Sequence, residues 1–227
     1  MSILNNIISG LMVVVVLILS TVPHEVMHGY TAYLLGDNTA KWQRRLSLNP
    51  LKHINKRYVA LILGGAFLGR LIPSLSFITD VFMWVGFLFL LIPVPVNPGN
   101  FSDPKKGMAI VGLMGPVTNF VIAFVSLIFF AYFGHIAYLG DFLWLLAIFN
   151  IRLGVFNIIP VPPLDGSRVL FAFLPQNYYF RIMQYERYIM IVFFILLWGG
   201  ALDRLMYTGV NNILNAFLRV ISAFPGI

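Results

Sequence analysis

Long apolar runs separated by short polar breaks set the pattern of this chain. The first run, about Leu4 to Leu35, is long enough to cross a bilayer as one helix, and Pro23 inside it predicts a kink. Gly36-Asp37-Asn38 then ends the helix as a turn. Two apolar stretches over 58–79 and 81–96, divided by Asp80, predict a hairpin of two passes. Its ending, Pro93-Val94-Pro95-Val96-Asn97-Pro98, cannot be regular helix and predicts extended chain at the membrane edge or lining a cavity. Met108–Phe133 predicts a further span, Phe142 to about Ile159 a return, and Tyr188–Leu202 a last pass. The tail to Ile227 is expected to rest in the membrane interface as an amphipathic helix. The expected fold is an all-α polytopic membrane protein of about six passes, with short extended or re-entrant segments near the active site. It forms a single domain over 1–227, with a core of about 4–175 and a C-terminal span and tail over 185–227.

Composition agrees with that reading. Hydrophobic residues make up 59% of the chain, charged residues 10%, and mean hydropathy is +0.88. A soluble domain carries about a quarter charged residues. The net charge of +7 is no nucleic-acid footprint, because the basic residues sit in loops beside the spans. Without cysteine, disulfides, thiolate ligands and cysteine nucleophiles are excluded. Ile7–Leu35 lacks a basic leader and a small-residue cleavage site, so it reads as a retained span. Residues 37–57 hold Lys41, Arg44, Arg45, Lys52, Lys56 and Arg57 against Asp37 alone, which puts this loop in the cytoplasm. The connector Gly134–Asp141 has no Lys or Arg and belongs outside.

Candidate chemistry centres on His24-Glu25-Val26-Met27-His28. Histidines four apart on a helix present two imidazoles to one tetrahedral zinc, and the glutamate between them can take a proton from water. Ionisable groups inside a spanning segment cost several kcal/mol unless something compensates them, as a metal would. With four histidines and two glutamates in 227 residues, about 0.0006 chance matches to H-E-x-x-H are expected. The bland alternative is a cluster of paired polar side chains in a helix bundle.

Catalytic zinc usually takes a third protein ligand. His53, Asp80, Asp103, His135, Asp141, Asp165, Glu186 and Asp203 are the candidates. Topology removes His135 and Asp141, while His53 and Asp103 lie in loops where polar residues need no special reason. Asp165 stands between a proline-rich break and Gly166, on the membrane side of the histidines, and reads either as ligand or as helix N-cap. Asn119 and Asn157 are polar residues inside spans, which serve either as helix–helix glue or as groups that pair with a substrate strand or an oxyanion. Ser167 reads as a helix-start serine.

These residues carry a likeness. The chain resembles the site-2 protease family of intramembrane zinc metalloproteases, in its compact prokaryotic form without a PDZ domain. The match is H-E-x-x-H at His24–His28, G-P-x-x-N at Gly115–Asn119 and N-x-x-P-x-P-x-L-D-G at Asn157–Gly166. Similar stretches run from Leu46 to Ile54 and from Pro93 to Pro98, so that about residues 20–175 are covered. The resemblance implies one zinc ion per chain held by His24, His28 and Asp165, Glu25 activating water, and Asn119 and Asn157 near the substrate strand. It also implies hydrolysis within or next to transmembrane segments of a membrane-protein substrate, by a multi-pass protein of the plasma or inner membrane whose active site faces the cytoplasm. Asn55 stands where the family's loop motif usually continues with Asp, and Ile92 where Lys usually precedes the Pro-Val segment. A metal-ion transporter would need ligands across the whole bilayer, which the outer halves of the spans lack. A catalytically silent homologue acting as a binding protein is the other alternative, and would normally have lost Glu25 or a ligand.

Overall fold

The computed structural model describes residues 3–55, 57, 59–60, 64, 92–175, 182 and 184–223. Arg70, Asp80 and all but the last five residues of the second expected hairpin pass lie outside the described residues. Among those described, all regular structure is helical and no strand occurs. The helices are α1 (Ile3–Leu34), α2 (Thr39–Trp42), α3 (Pro104–Phe133), α4 (Leu139–Ile158), α5 (Asp165–Phe173), α6 (Glu186–Trp198) and α7 (Asp203–Ile221). Three of them, α1 over Ile7–Leu34, α3 and α4, are long and apolar enough to cross a membrane. The more apolar stretch of α6, Arg187–Leu197, is shorter than a full span.

Helix α3 is the centre of the bundle and packs against α1, α4 and α5. Its start is built by Pro104 in the first turn and by Asp103, whose carboxylate accepts from the N–H groups of Lys105 and Lys106 at 3.1 Å each. The inward face carries Val111, Gly115, Asn119, Ala123 and Leu127 at four-residue spacing. The opposite face exposes Leu113, Val117, Val121, Val125 and Phe129, an apolar stripe suited to lipid rather than water. A buried polar pair joins α1 to α4: Asn150 Nδ2 donates to Ser20 Oγ at 2.8 Å, and Ser20 Oγ donates to the Val16 carbonyl at 2.7 Å.

Helix α7, the amphipathic tail of the sequence, has its apolar face covered. Val210, Ile213, Leu214 and Phe217 pack on Ala123, Leu127, Ala147 and Ile151 of α3 and α4. At its other end Met206 joins the cluster of Ile159, Leu164 and Phe193. The apolar face therefore packs on parts of α3 and α4, a cover that amphipathicity alone could not name.

Gly36, at φ +105°, closes α1 and turns the chain so that Asp37 faces inward. Asp37 is fully buried and accepts four hydrogen bonds. Thr39 N–H and Oγ1–H and Asn100 Nδ2 reach its Oδ1 at 3.0, 2.5 and 2.7 Å, and Asn97 N–H reaches Oδ2 at 2.7 Å. Burial raises this carboxyl's pKa, but the bonds from Thr39, Asn97 and Asn100 outweigh it and hold the group below its ordinary value. The 92–97 segment is thereby fixed beside α1 as extended chain, as its prolines require.

Candidate metal centre

His24 and His28 lie one turn apart on α1, both buried, with ring centroids 4.7 Å apart and ring planes at 89°. Their Nε2 atoms are separated by 3.1 Å. Asp165 Oδ2 lies 3.1 Å from His24 Nε2 and 3.3 Å from His28 Nε2. A carbonyl can only accept, so the 2.7 Å contact of His28 Nδ1 with the Val111 carbonyl puts that ring's proton on Nδ1 and leaves the Nε2 lone pair aimed at the triangle. Three electron-rich atoms so close repel one another unless a positive charge sits among them. The edges also match a metal: ligands about 2.0–2.1 Å from a tetrahedral zinc are about 3.3 Å from each other. The donor set fits zinc, with an imidazole pair and one carboxylate leaving a fourth position open.

The sequence builds this triangle from three distant pieces. α1 supplies the imidazoles. α4 ends at Ile158, the Pro160–Pro163 segment reverses the chain, and α5 opens on Asp165. A Cβ on Gly166 would stand 2.0 Å from the Ile158 carbonyl oxygen, so the residue after Asp165 has to be glycine for the chain to fold back this tightly. Helix α3 forms the floor. A Cβ on Gly115 would stand 2.5 Å from His28 Nε2 and 2.6 Å from His24 Cε1. One turn earlier a Cβ on Gly112 would stand 2.9 Å from the Asp165 carbonyl oxygen. Asp165 does not cap α5: Leu164 holds the cap position, and the Asp165 carboxylate faces the imidazoles.

Glu25 points from α1 toward the 92–97 segment, where its Oε2 accepts the Val94 N–H at 3.0 Å. Asn119 is fully buried one turn beyond Gly115, and among the described residues neither its amide oxygen nor its amide nitrogen has a hydrogen-bond partner. Asn157 is half-buried near the end of α4 and donates Nδ2 to the Leu153 carbonyl at 3.0 Å. The other candidates go elsewhere: Asp103 caps α3, His53 is buried and donates Nε2–H to the Ser47 carbonyl at 2.7 Å, and Ser167 Oγ donates to the Leu164 carbonyl at 2.6 Å. The sequence reading gave Gly115 no task and did not find the Val94 N–H. The only advance signals were the glycine of the G-P-x-x-N motif and the prolines flanking Val94.

The profile of peptidase family M50 matches residues 134–199. Over 219 residues the chain is 33% identical to "Putative zinc metalloprotease YwhC" of Bacillus subtilis (strain 168), with 90% of each chain covered. The chain belongs to peptidase family M50, the site-2 protease family. It is a zinc metalloprotease, and as a member of a membrane-associated family it sits in a lipid environment. A second relative, zinc metalloprotease MJ0392 of Methanocaldococcus jannaschii, is 36% identical over 89 residues, covering 39% of this chain and 26% of that protein. No solved structure matches the chain.

Proposed function

We propose that this M50 protease hydrolyses peptide bonds within or next to transmembrane segments of membrane-protein substrates, in regulated intramembrane proteolysis. The observation that carries the reading is that the ligand triangle is built on helices long and apolar enough to cross a membrane. His24 and His28 belong to a helix that can span the bilayer, and they rest on Gly115 of a second such helix with a lipid-suited outer face. A bond brought to that triangle is inside or beside a membrane segment. His24, His28 and Asp165 hold the zinc, and the chemistry it supplies when bound is Lewis-acid activation of water and of the scissile carbonyl. Glu25 takes a proton from the attacking water and passes it to the leaving amine. Asn119, with both amide groups unpaired, can donate to a developing oxyanion and accept from a substrate N–H. Asn157, one of whose amide hydrogens is held by the Leu153 carbonyl, offers its oxygen to the substrate strand.

The chain acts as one domain over 1–227 with about six passes in the plasma or inner membrane. The basic loop 37–57 follows α1 at the end that carries the histidines, which supports an active site toward the cytoplasm. The test is reconstitution in proteoliposomes with a single-span substrate. Cleavage inside or beside the span, abolished by chelator and by Glu25→Gln in a zinc-loaded protein, is the expected result. Cleavage at the wild-type rate by zinc-loaded Glu25→Gln would refute the mechanism. Hydrolysis of soluble peptides alone would refute the membrane substrate.

A further inference from the structure

The segment from Ile92 to Asn97 is tied down at both ends and touches Glu25 in the middle. At its start, Ile92 N–H donates to the His53 carbonyl at 2.7 Å, and the Ile92 carbonyl accepts from Arg45 Nη2 at 2.5 Å. At its end, Asn97 N–H donates to the buried Asp37 carboxylate at 2.7 Å. Between them Val94 is buried against α1, and a Cβ on Gly29 would stand 2.5 Å from Val94 Cγ1. Proline has no N–H, so Pro93 and Pro95 leave Val94 as the single backbone donor in that stretch. That donor points at Glu25 Oε2, 3.0 Å away. Among the described residues Glu25 Oε1 carries no hydrogen bond.

We propose that Pro93-Val94-Pro95 is a positioning strap for Glu25: the Val94 N–H holds one carboxylate oxygen and turns the other toward the water. The proposal rests on the reading of Glu25 as the general base. A lone glutamate on a helix has three rotatable bonds and several staggered rotamers to choose among. A backbone donor anchored on both sides narrows that choice before substrate arrives, and a charge-assisted bond of this kind is stronger than a neutral one. Both anchors are themselves held in place: Asp37 is fully buried, and so is His53.

The deciding experiment replaces residue 94 by the α-hydroxy analogue of valine, which converts that N–H to an ester oxygen and leaves the side chain and both prolines unchanged. Losing a hydrogen bond to a charged group should lower kcat about ten-fold or more, with KM and zinc content unchanged. In a Glu25→Ala background the same ester should add nothing to the residual defect, because the strap acts through Glu25. Asp37→Asn, which leaves one acceptor oxygen for four donors, should shift kcat in the same direction. Unchanged kcat in the ester protein overturns the proposal. So does increased kcat, which would make the contact an obstruction of the base, and so does a loss of zinc or a rise in KM accompanying the fall. Wild-type activity in zinc-loaded Glu25→Gln would instead remove the reading on which the strap depends, and the two failures are read from different proteins.

Discussion

Adding one methyl group at Gly115 should cost this protease its zinc while leaving its helices intact. The new Cβ would lie 2.5 Å from His28 Cε1 and Nε2 and 2.6 Å from His24 Cε1. Ordinary contact between such atoms begins at about 3.5 Å, so each ring must retreat by about 1 Å. Zinc–ligand distances tolerate only about 0.2 Å. Neither side yields readily: the Val111 carbonyl holds His28 Nδ1 at 2.7 Å, and α3 cannot back away without leaving Asp165, against which Gly112 is packed. Displacing supporting groups around a metal typically lowers affinity by about 10- to 100-fold, and here both imidazole ligands are pushed directly. We expect the zinc dissociation constant to rise by about 100-fold, equivalent to about 3 kcal/mol. Helix propensity acts in the opposite direction, since alanine in a helix interior is favoured over glycine by up to about 1 kcal/mol. The metal-free variant, with its rings rotated away, should therefore unfold no more easily than the metal-free parent. Competition with a graded chelator measures the first quantity and thermal unfolding in detergent the second. A Gly115→Ala protein that binds zinc within about three-fold of wild type would refute the placement of the imidazoles on this floor.

Asp165→Ala removes the one carboxylate from the triangle and should lower zinc affinity by more than about 100-fold, and full zinc occupancy after dialysis would exclude Asp165 as a ligand. Asp37 is held below its ordinary pKa of 3.8, so its stabilisation is complete above that value and is lost as pH falls through the lowered one. Thermal unfolding followed from pH 5 downward should show that loss in the wild type and a flatter profile in Asp37→Asn, and parallel profiles would contradict it. Ser20→Ala removes the hydroxyl between α1 and α4 and should cost about 1 kcal/mol in equilibrium unfolding from mixed micelles. The loss should largely vanish in an Asn150→Ala background, whereas additive losses would mean that the two side chains are not coupled.

The central chemistry was legible in the sequence because it is local. The four-residue interval of His24 and His28 is set by the helix repeat, and so is the presence of Glu25 between them. The lengths of the apolar runs anticipated α1, α3 and α4 as spans, since a helix in lipid has to satisfy its own backbone. Asp165, between a proline-rich break and Gly166, left ligand and cap as alternatives in the sequence. Both readings want an acidic residue at the start of α5, and the structure places its carboxylate beside the imidazoles with no cap hydrogen bond.

What the fold alone decided are contacts made by groups that leave no mark in sequence. The donor to Glu25 is a backbone N–H 69 positions away, and every residue but proline has one. Gly115 matters for the atom it lacks, and only the approach of α1 shows why that atom has no room. Asp37 follows a helix-ending glycine and could be any turn aspartate until Asn97 and Asn100 arrive beside it. The amphipathic pattern of α7 likewise requires a cover for its apolar face without naming one, and the cover proves to be α3 and α4. Periodicity fixes which side chains share a face, whereas packing decides what each face meets.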